Sequence, residues 1–217
     1  MKTITIDGPA GSGKTTVSRL LAEKLGYLYV DTGSLYRGVA LEVDENSIDW
    51  KNDYLLDAFL RTLDFQFVVS KGVPVLLSSG RDISRGLRSS RISMLASAVS
   101  AKPAVRTFLL GMQKEIAGEH NAVFEGRDMG TVVFPRADVK FFLSADLKTR
   151  ALRRYNEMDK NRNRLEDVEK SMALRDENDS QRRTSPMMPA RDAVMIDSTG
   201  LTARGVVEKM YAVVINT

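Results

Sequence analysis

Five short apolar runs mark the chain: Ile4–Ile6, Tyr27–Val30, Ala122–Phe124, Val139–Leu143 and Ala193–Ile196. They read as continuous runs and are separated by stretches with helical spacing. That order predicts buried strands of a parallel sheet covered by helices on both faces. The first helix is expected to begin near Lys14, to bury Val17, Leu20, Leu21 and Leu25, and to stop at Gly26, a residue suited to the left-handed conformation that ends a helix. A last helix is expected from about Ala203 to Val214.

Two segments break this rhythm. Residues 64–79, DFQFVVSKGVPVLLSS, alternate Phe65, Phe67 and Val69, turn at Lys71–Gly72, and continue with Val75 and Leu77. This is a hairpin pattern, read as a small β insertion rather than a separate domain. From Arg150 to Arg164 five arginines (Arg150, Arg153, Arg154, Arg162 and Arg164) occur with few large apolar residues. Either a mobile cationic flap or an exposed, charged helix surface fits that stretch.

Composition narrows the class. With 217 residues, 43% hydrophobic and 28% charged, the chain is ordinary for a soluble globular protein of one domain, with or without an insertion. It has no cysteine and one histidine, His120, which excludes disulfides, thiolate chemistry and a multi-histidine metal site. The N-terminal MKTITIDGPAG is too short in apolar residues for a signal peptide, and no run approaches a membrane span, so a cytoplasmic enzyme is expected. A net charge of +4 with 7% aromatic residues suits a small anionic substrate at least as well as nucleic acid, whose binders carry exposed aromatics for stacking.

Gly8–Pro9–Ala10–Gly11–Ser12–Gly13–Lys14–Thr15 matches G-x-x-x-x-G-K-[ST] between an expected strand and an expected helix. That context is the one the motif needs to cradle a polyphosphate in backbone N–H groups. Lys14 is placed to bridge the outer phosphates and Thr15 to hold magnesium. The chain lacks the Asn-Lys-x-Asp motif of a GTPase and is short for a motor ATPase, which leaves a small kinase.

The tripeptide Gly-Arg-Asp occurs twice, at 80–82 and 126–128, the second between apolar runs and followed by Met129–Gly130. A helix is expected from Leu165 to Arg183, where Leu165, Val168 and Met172 form a stripe that continues through Arg175, Asp179 and Arg182. That charged end suits either a polar cleft or solvent with an i,i+4 pair between Arg175 and Asp179; Leu174 lies off the stripe.

GPAGSGKTT (residues 8–16, through Thr16), DTGSLYR at 31–37, GRDMGTVVFP at 126–135 and RDENDSQR at 175–182, followed by Pro186, together resemble the bacterial cytidylate kinases over nearly the whole chain. The resemblance implies an α/β P-loop NTPase fold, a five-stranded parallel sheet flanked by helices. It further implies one kinase domain over 1–217, with a monophosphate-binding β insertion at about 63–84 and a lid at about 150–165. It implies ATP as donor with Mg2+, CMP or dCMP as acceptor, and a role in pyrimidine nucleotide metabolism. Arg37, Arg127 and Arg175 would grip the acceptor phosphate and the moving phosphoryl group, with Asp179 and Arg182 near sugar and phosphate. Thr32 stands where the family commonly has serine. Ser97, Arg106 and Asp128 would read the base. Met187 and Glu125 depart from the family's usual residues, and neither is expected to touch a proposed contact. Arg81 matches no family contact and is expected to be an ordinary surface residue.

These roles are chemically coherent. A carboxylate at Asp128 accepts from cytosine N4, and Arg106 donates to N3 and O2; uracil reverses the first two positions. A monophosphate is nearly a dianion at neutral pH, so its attacking oxygen needs no base. The flap, with Arg153 or Arg154 reaching the ATP phosphates and Arg153 the candidate, would exclude water. A monomer binding small molecules, with neither nucleic acid nor membrane as partner, is expected. The rivals are a kinase for UMP, AMP or a hydroxyl acceptor, and a P-loop protein that binds nucleic acid.

Overall fold

In the computed structural model the chain runs β1 (Thr3–Asp7), α1 (Lys14–Leu25), β2 (Leu28–Asp31), α2 (Thr32–Glu45) and α3 (Asp53–Thr62). Then come β3 (Phe65–Ser70), β4 (Val73–Ser78), β5 (Arg81–Asp82), α4 (Ser90–Val99) and α5 (Pro103–Glu119). It closes with β6 (Ala122–Glu125), β7 (Val139–Ser144), α6 (Leu147–Asn156), α7 (Leu165–Ser180), β8 (Val194–Asp197) and α8 (Ala203–Ile215). The structure describes residues 1–70, 73–84, 86–158, 164–182 and 184–217. The expected Lys71–Gly72 turn and Arg162 lie outside the described residues. The chain divides into two compact units, Met1–Tyr29 with Asn121–Thr217, and Val30–His120.

The parallel sheet has the strand order β2-β6-β1-β7-β8; β1, β6, β7 and β8 belong to the first unit, and the boundary between the units falls within β2. All five expected strands are present. β1 lies between β6 and β7, with Ile4 in register with Val123 and Val139. Both β1 and β6 are buried along their whole length, as continuous apolar runs require. Helices α1 and α8 cover the sheet through Val17, Leu21, Val206, Val207 and Met210, packed on Ile4, Phe141 and Leu143. Each such large side chain, fully buried, contributes about 1.5–3 kcal/mol. In α1 the inward places go to Val17, Ser18, Leu21 and Ala22, with Leu20 and Leu25 half-buried rather than buried; Gly26 ends the helix at φ 67°. β8 departs further from expectation. It pairs only with β7 at the sheet edge, so Met195 is 56% exposed and only Ile196 is buried.

In the second unit β3 and β4 form the expected antiparallel hairpin, with Phe65 opposite Ser78 and Phe67 opposite Leu76, and β5 extends it to three strands. Its separate core joins Leu35, Val39, Leu56, Phe65, Leu76 and Leu109. The DTGSLYR segment opens α2, whose N-terminus is capped by Asp31 accepting from the Ser34 N–H at 3.1 Å.

Candidate active site

The loop from Gly8 to Gly13 leaves β1 and enters α1. Gly8 has φ 143°, and a Cβ there would lie 2.0 Å from the Leu143 carbonyl oxygen, so only glycine fits. The loop's carbonyls are held from within the unit. Pro9 O accepts from Lys14 Nζ at 2.7 Å and Ser12 Oγ at 3.0 Å, Ala10 O from Arg150 at 3.1 Å, and Ser12 O from Ser198 Oγ at 2.9 Å. In a trans peptide the next N–H points opposite its carbonyl. Anchoring those oxygens therefore turns the N–H groups of Ala10, Gly11 and Gly13 to the other side, as a phosphate cradle demands. Burial, and after it the Arg127 guanidinium, push the Lys14 ammonium well below its ordinary pKa. An incoming polyanion would reverse that shift.

Glu125, last residue of β6, corrects an expectation. It is buried, and its Oε1 accepts from Thr15 Oγ1 at 2.8 Å, so it does touch a proposed contact. A hydroxyl and a carboxylate side by side are hard oxygen donors of the kind magnesium takes alongside phosphate and water. Met187 likewise bonds a site residue, its N–H donating to Asp179 O at 2.8 Å.

After β6 the chain passes Gly126–Arg127–Asp128 into a π-helical turn, Met129–Val133. The Met129 and Gly130 N–H groups donate to the two oxygens of Asp7, at 2.9 and 2.8 Å. Burial pushes the Asp7 carboxyl up to about 6, against those two bonds, which pull it down. Asp128 is buried, at 4% exposure.

Arg127 Nε donates to Asp179 Oδ2 at 3.1 Å, and Arg182 pairs with the other oxygen of Asp179. Three residues of the expected acceptor site, Arg127, Asp179 and Arg182, thus meet in one cluster around a carboxylate that is 3% exposed. The inward line of α7 differs from the expected stripe. Val168, Met172 and Asp179 are buried, while Leu165, Leu174 and Arg175 are exposed. Asp176, half-buried, pairs with Arg150 at 2.5 Å.

The arginine-rich stretch does not begin as an irregular flap: through Asn156 it is α6, with Arg150 buried. Arg153 donates to Ser198 Oγ and O at 3.0 and 2.7 Å, and Ser198 in turn holds the Ser12 carbonyl. Arg154 pairs with Glu157 at the surface.

In the second unit Thr32 is buried and Ser97 half-buried. Arg37 pairs with Asp31 at 2.7 Å. Arg106 donates to Ser100 O at 3.3 Å, its guanidinium carbon 5.9 Å from the Tyr36 ring centre. Sequence reasoning missed Asp7, Asp31, Glu125 as a contact and Asp176, and placed Arg150 in the cationic stretch without its bond to the loop; of the four missed, only Asp31 carried a local signal, an Asp-x-x-Ser N-cap spacing.

A five-stranded parallel sheet whose first strand runs into this loop, with arginines gathered beside the next strand, defines a P-loop phosphotransferase. A family model described as cytidylate kinase matches residues 4–216. The cytidylate kinase of Geobacter sulfurreducens is 43% identical over 213 residues, 97% of this chain and 91% of that one. That of Syntrophotalea carbinolica is 42% identical over 214 residues, with the same coverage. The chain belongs to the cytidylate kinase family. In fold alone it is similar to the crystal structure of an uncharacterized protein from Eubacterium ventriosum, at TM-score 0.54 and 12% identity over the full length of both chains.

Proposed function

We propose that this protein transfers the γ-phosphoryl group of ATP to CMP or dCMP, giving ADP and CDP or dCDP. The observation that carries the reading is the joint presence, in one unit of a chain of this family, of the Lys14 cradle and the Arg127–Asp179–Arg182 cluster. Residues 8–16 would bind the ATP phosphates, with Lys14 bridging the outer ones. Thr15 and Glu125 would hold magnesium, which when bound neutralises phosphate charge.

The acceptor dianion attacks without giving up a proton, so the protein's task is to align it and to balance charge. Arg127, Arg175 and Arg37 serve the acceptor phosphate, and Asp179 keeps two guanidiniums oriented. Asp128, Arg106 and Ser97 read the base, with Thr32 and Arg182 assisting at the sugar and phosphate. Arg153 supports the loop through Ser198, and residues 150–165 act as lid. A hydroxyl acceptor would need a base. Asp7, a carboxyl raised to about 6, already accepts backbone N–H groups on both its oxygens, so it is poorly placed to serve as that base. Among the described residues no helix is long and apolar enough to cross a membrane; the enzyme is proposed to be cytoplasmic and monomeric.

A coupled assay with Mg-ATP and a panel of CMP, dCMP, UMP and AMP tests the reading. CMP and dCMP should be turned over best; preference for AMP or UMP refutes the substrate assignment. Salt-sensitive polynucleotide binding would favour the nucleic-acid rival.

A further inference from the structure

Asp7 is a buried carboxylate for which the transfer chemistry has no use. It ends β1, is 3% exposed, and accepts the first two N–H groups of the π-helical turn, from Met129 and Gly130. Turns of this kind are rare and are frequently found at functional sites. The same turn is seated from its other side. A Cβ on Gly130 would lie 2.9 Å from Thr5 Oγ1 and 3.2 Å from Lys140 Cδ. Just beyond the turn, Lys140 Nζ donates to Pro135 O at 2.6 Å and pairs with Asp192. The turn is therefore clamped at its start, middle and exit, and the residue immediately before the clamp is Asp128.

Holding a charge at position 7 is unfavourable. Burial raises its pKa to about 6, the Asp128 carboxylate adds to the rise, and Lys14 opposes it. A neutral side chain of this size would be easier to bury. The two amide bonds are what an ionised carboxylate supplies here and an apolar residue cannot.

We propose that Asp7 is a positioning residue for acceptor selection: by gripping the amides of Met129 and Gly130 it fixes where Asp128 stands, and so which pyrimidine the enzyme accepts. This rests on the reading that Asp128 meets the cytosine amino group. Asp7 itself touches no substrate and acts through the turn.

Asp7→Asn keeps the shape but sets an NH2 group against one of the two N–H donors. KM for CMP should rise about tenfold and the CMP-over-UMP ratio of kcat/KM should fall about tenfold, the scale of one lost charged hydrogen bond. KM for ATP should stay within about twofold, because the cradle's own bonds are intact. Gly130→Ala, which lifts the turn from the Thr5 and Lys140 side while leaving Asp7 unchanged, should give the same split, and it decides alone if Asp7→Asn does not fold. An unchanged CMP-over-UMP ratio in the folded variant overturns the proposal. So does a KM for ATP that rises as much as that for CMP, which would place the effect at Gly8 instead. A wild-type enzyme with no preference for CMP over UMP overturns the substrate reading and this proposal with it.

Discussion

Gly80–Arg81–Asp82 and Gly126–Arg127–Asp128 are the same tripeptide in two settings. In the first, Arg81 has a 59% exposed side chain and pairs with Glu45 and Glu42, while Asp82 accepts the Ser84 N–H at 2.9 Å. In the second, Arg127 is 22% exposed and holds a carboxylate that is 3% exposed, and Asp128 is 4% exposed. The difference comes from the preceding strand. Gly80 follows a hairpin strand, whereas Gly126 follows β6, which is hydrogen-bonded to the central strand of the parallel sheet. Ligands of such sheets bind beyond the carboxyl ends of the strands. Placement there removes water from the charges, and the same ion pair is far stronger when desolvated than at the surface.

Replacing each arginine in turn breaks this comparison most directly. Arg127→Ala should lower kcat for CMP by about 10²–10³, the usual loss when one donor to a developing anionic charge is removed. Arg81→Ala should leave kcat and KM within about twofold, as a surface substitution away from the chemistry does. Steady-state assays on both purified variants check this; equal losses would mean that burial does not separate the two copies.

How much of this contrast was legible in the sequence varies with the range of the interaction that decides it. β1, β6 and β7 were readable because burial on both faces leaves an apolar run. The exposure of Met195 was not, because being an edge strand is a property of the sheet order. The helices α2 to α5 escaped notice because their apolar residues serve a second core, visible in sequence only through the hairpin and DTGSLYR. Within the site, the cradle was fully local. Asp176 was masked by a stripe drawn with three- and four-residue steps through Arg175. Glu125 looked like an idle departure because its contact with Thr15 spans 110 residues. Asp7 gave no sign at all, its partners lying 122 and 123 residues away.

Burial also gives the second copy a pH signature. Asp7, which holds the turn after Asp128, has a folded pKa of about 6 against an ordinary 3.8. Between those values the native state binds more protons than the unfolded chain, so this group's contribution to stability falls as pH rises from about 4 to about 6. The drop is about 3 kcal/mol at about 1.4 kcal/mol per pKa unit. Urea unfolding of the wild type and Asp7→Asn at pH values of about 4 and 7 isolates it. The wild type should lose ground to the variant as pH rises; a constant difference would show that Asp7 is not titrating in a desolvated site.

The aspartates extend the comparison to selectivity. Asp128→Ala should reduce the CMP-over-UMP ratio of kcat/KM by about tenfold to a hundredfold, since one mispaired buried group is worth about 1–3 kcal/mol. Asp82→Ala should not move it. Measuring the ratio, rather than activity alone, separates base reading from general damage, and an unmoved ratio in Asp128→Ala would remove that residue from base recognition.

The smallest effect tests the weak side of the contrast. Arg81 reaches Glu45 at a short distance, and on contact geometry alone the pair would rank among the strongest in the molecule. Its side chains are 59% and 40% exposed, so water already solvates both charges and holding two long side chains together loses rotamer freedom. A double-mutant cycle on Arg81→Ala and Glu45→Ala, read by urea unfolding, should return a coupling of about 0–1 kcal/mol that shrinks with added salt. A coupling of about 3 kcal/mol, in the range of buried pairs, would mean that this Gly-Arg-Asp is as well desolvated as the other, and that its exposed position in the fold is not what makes it inert.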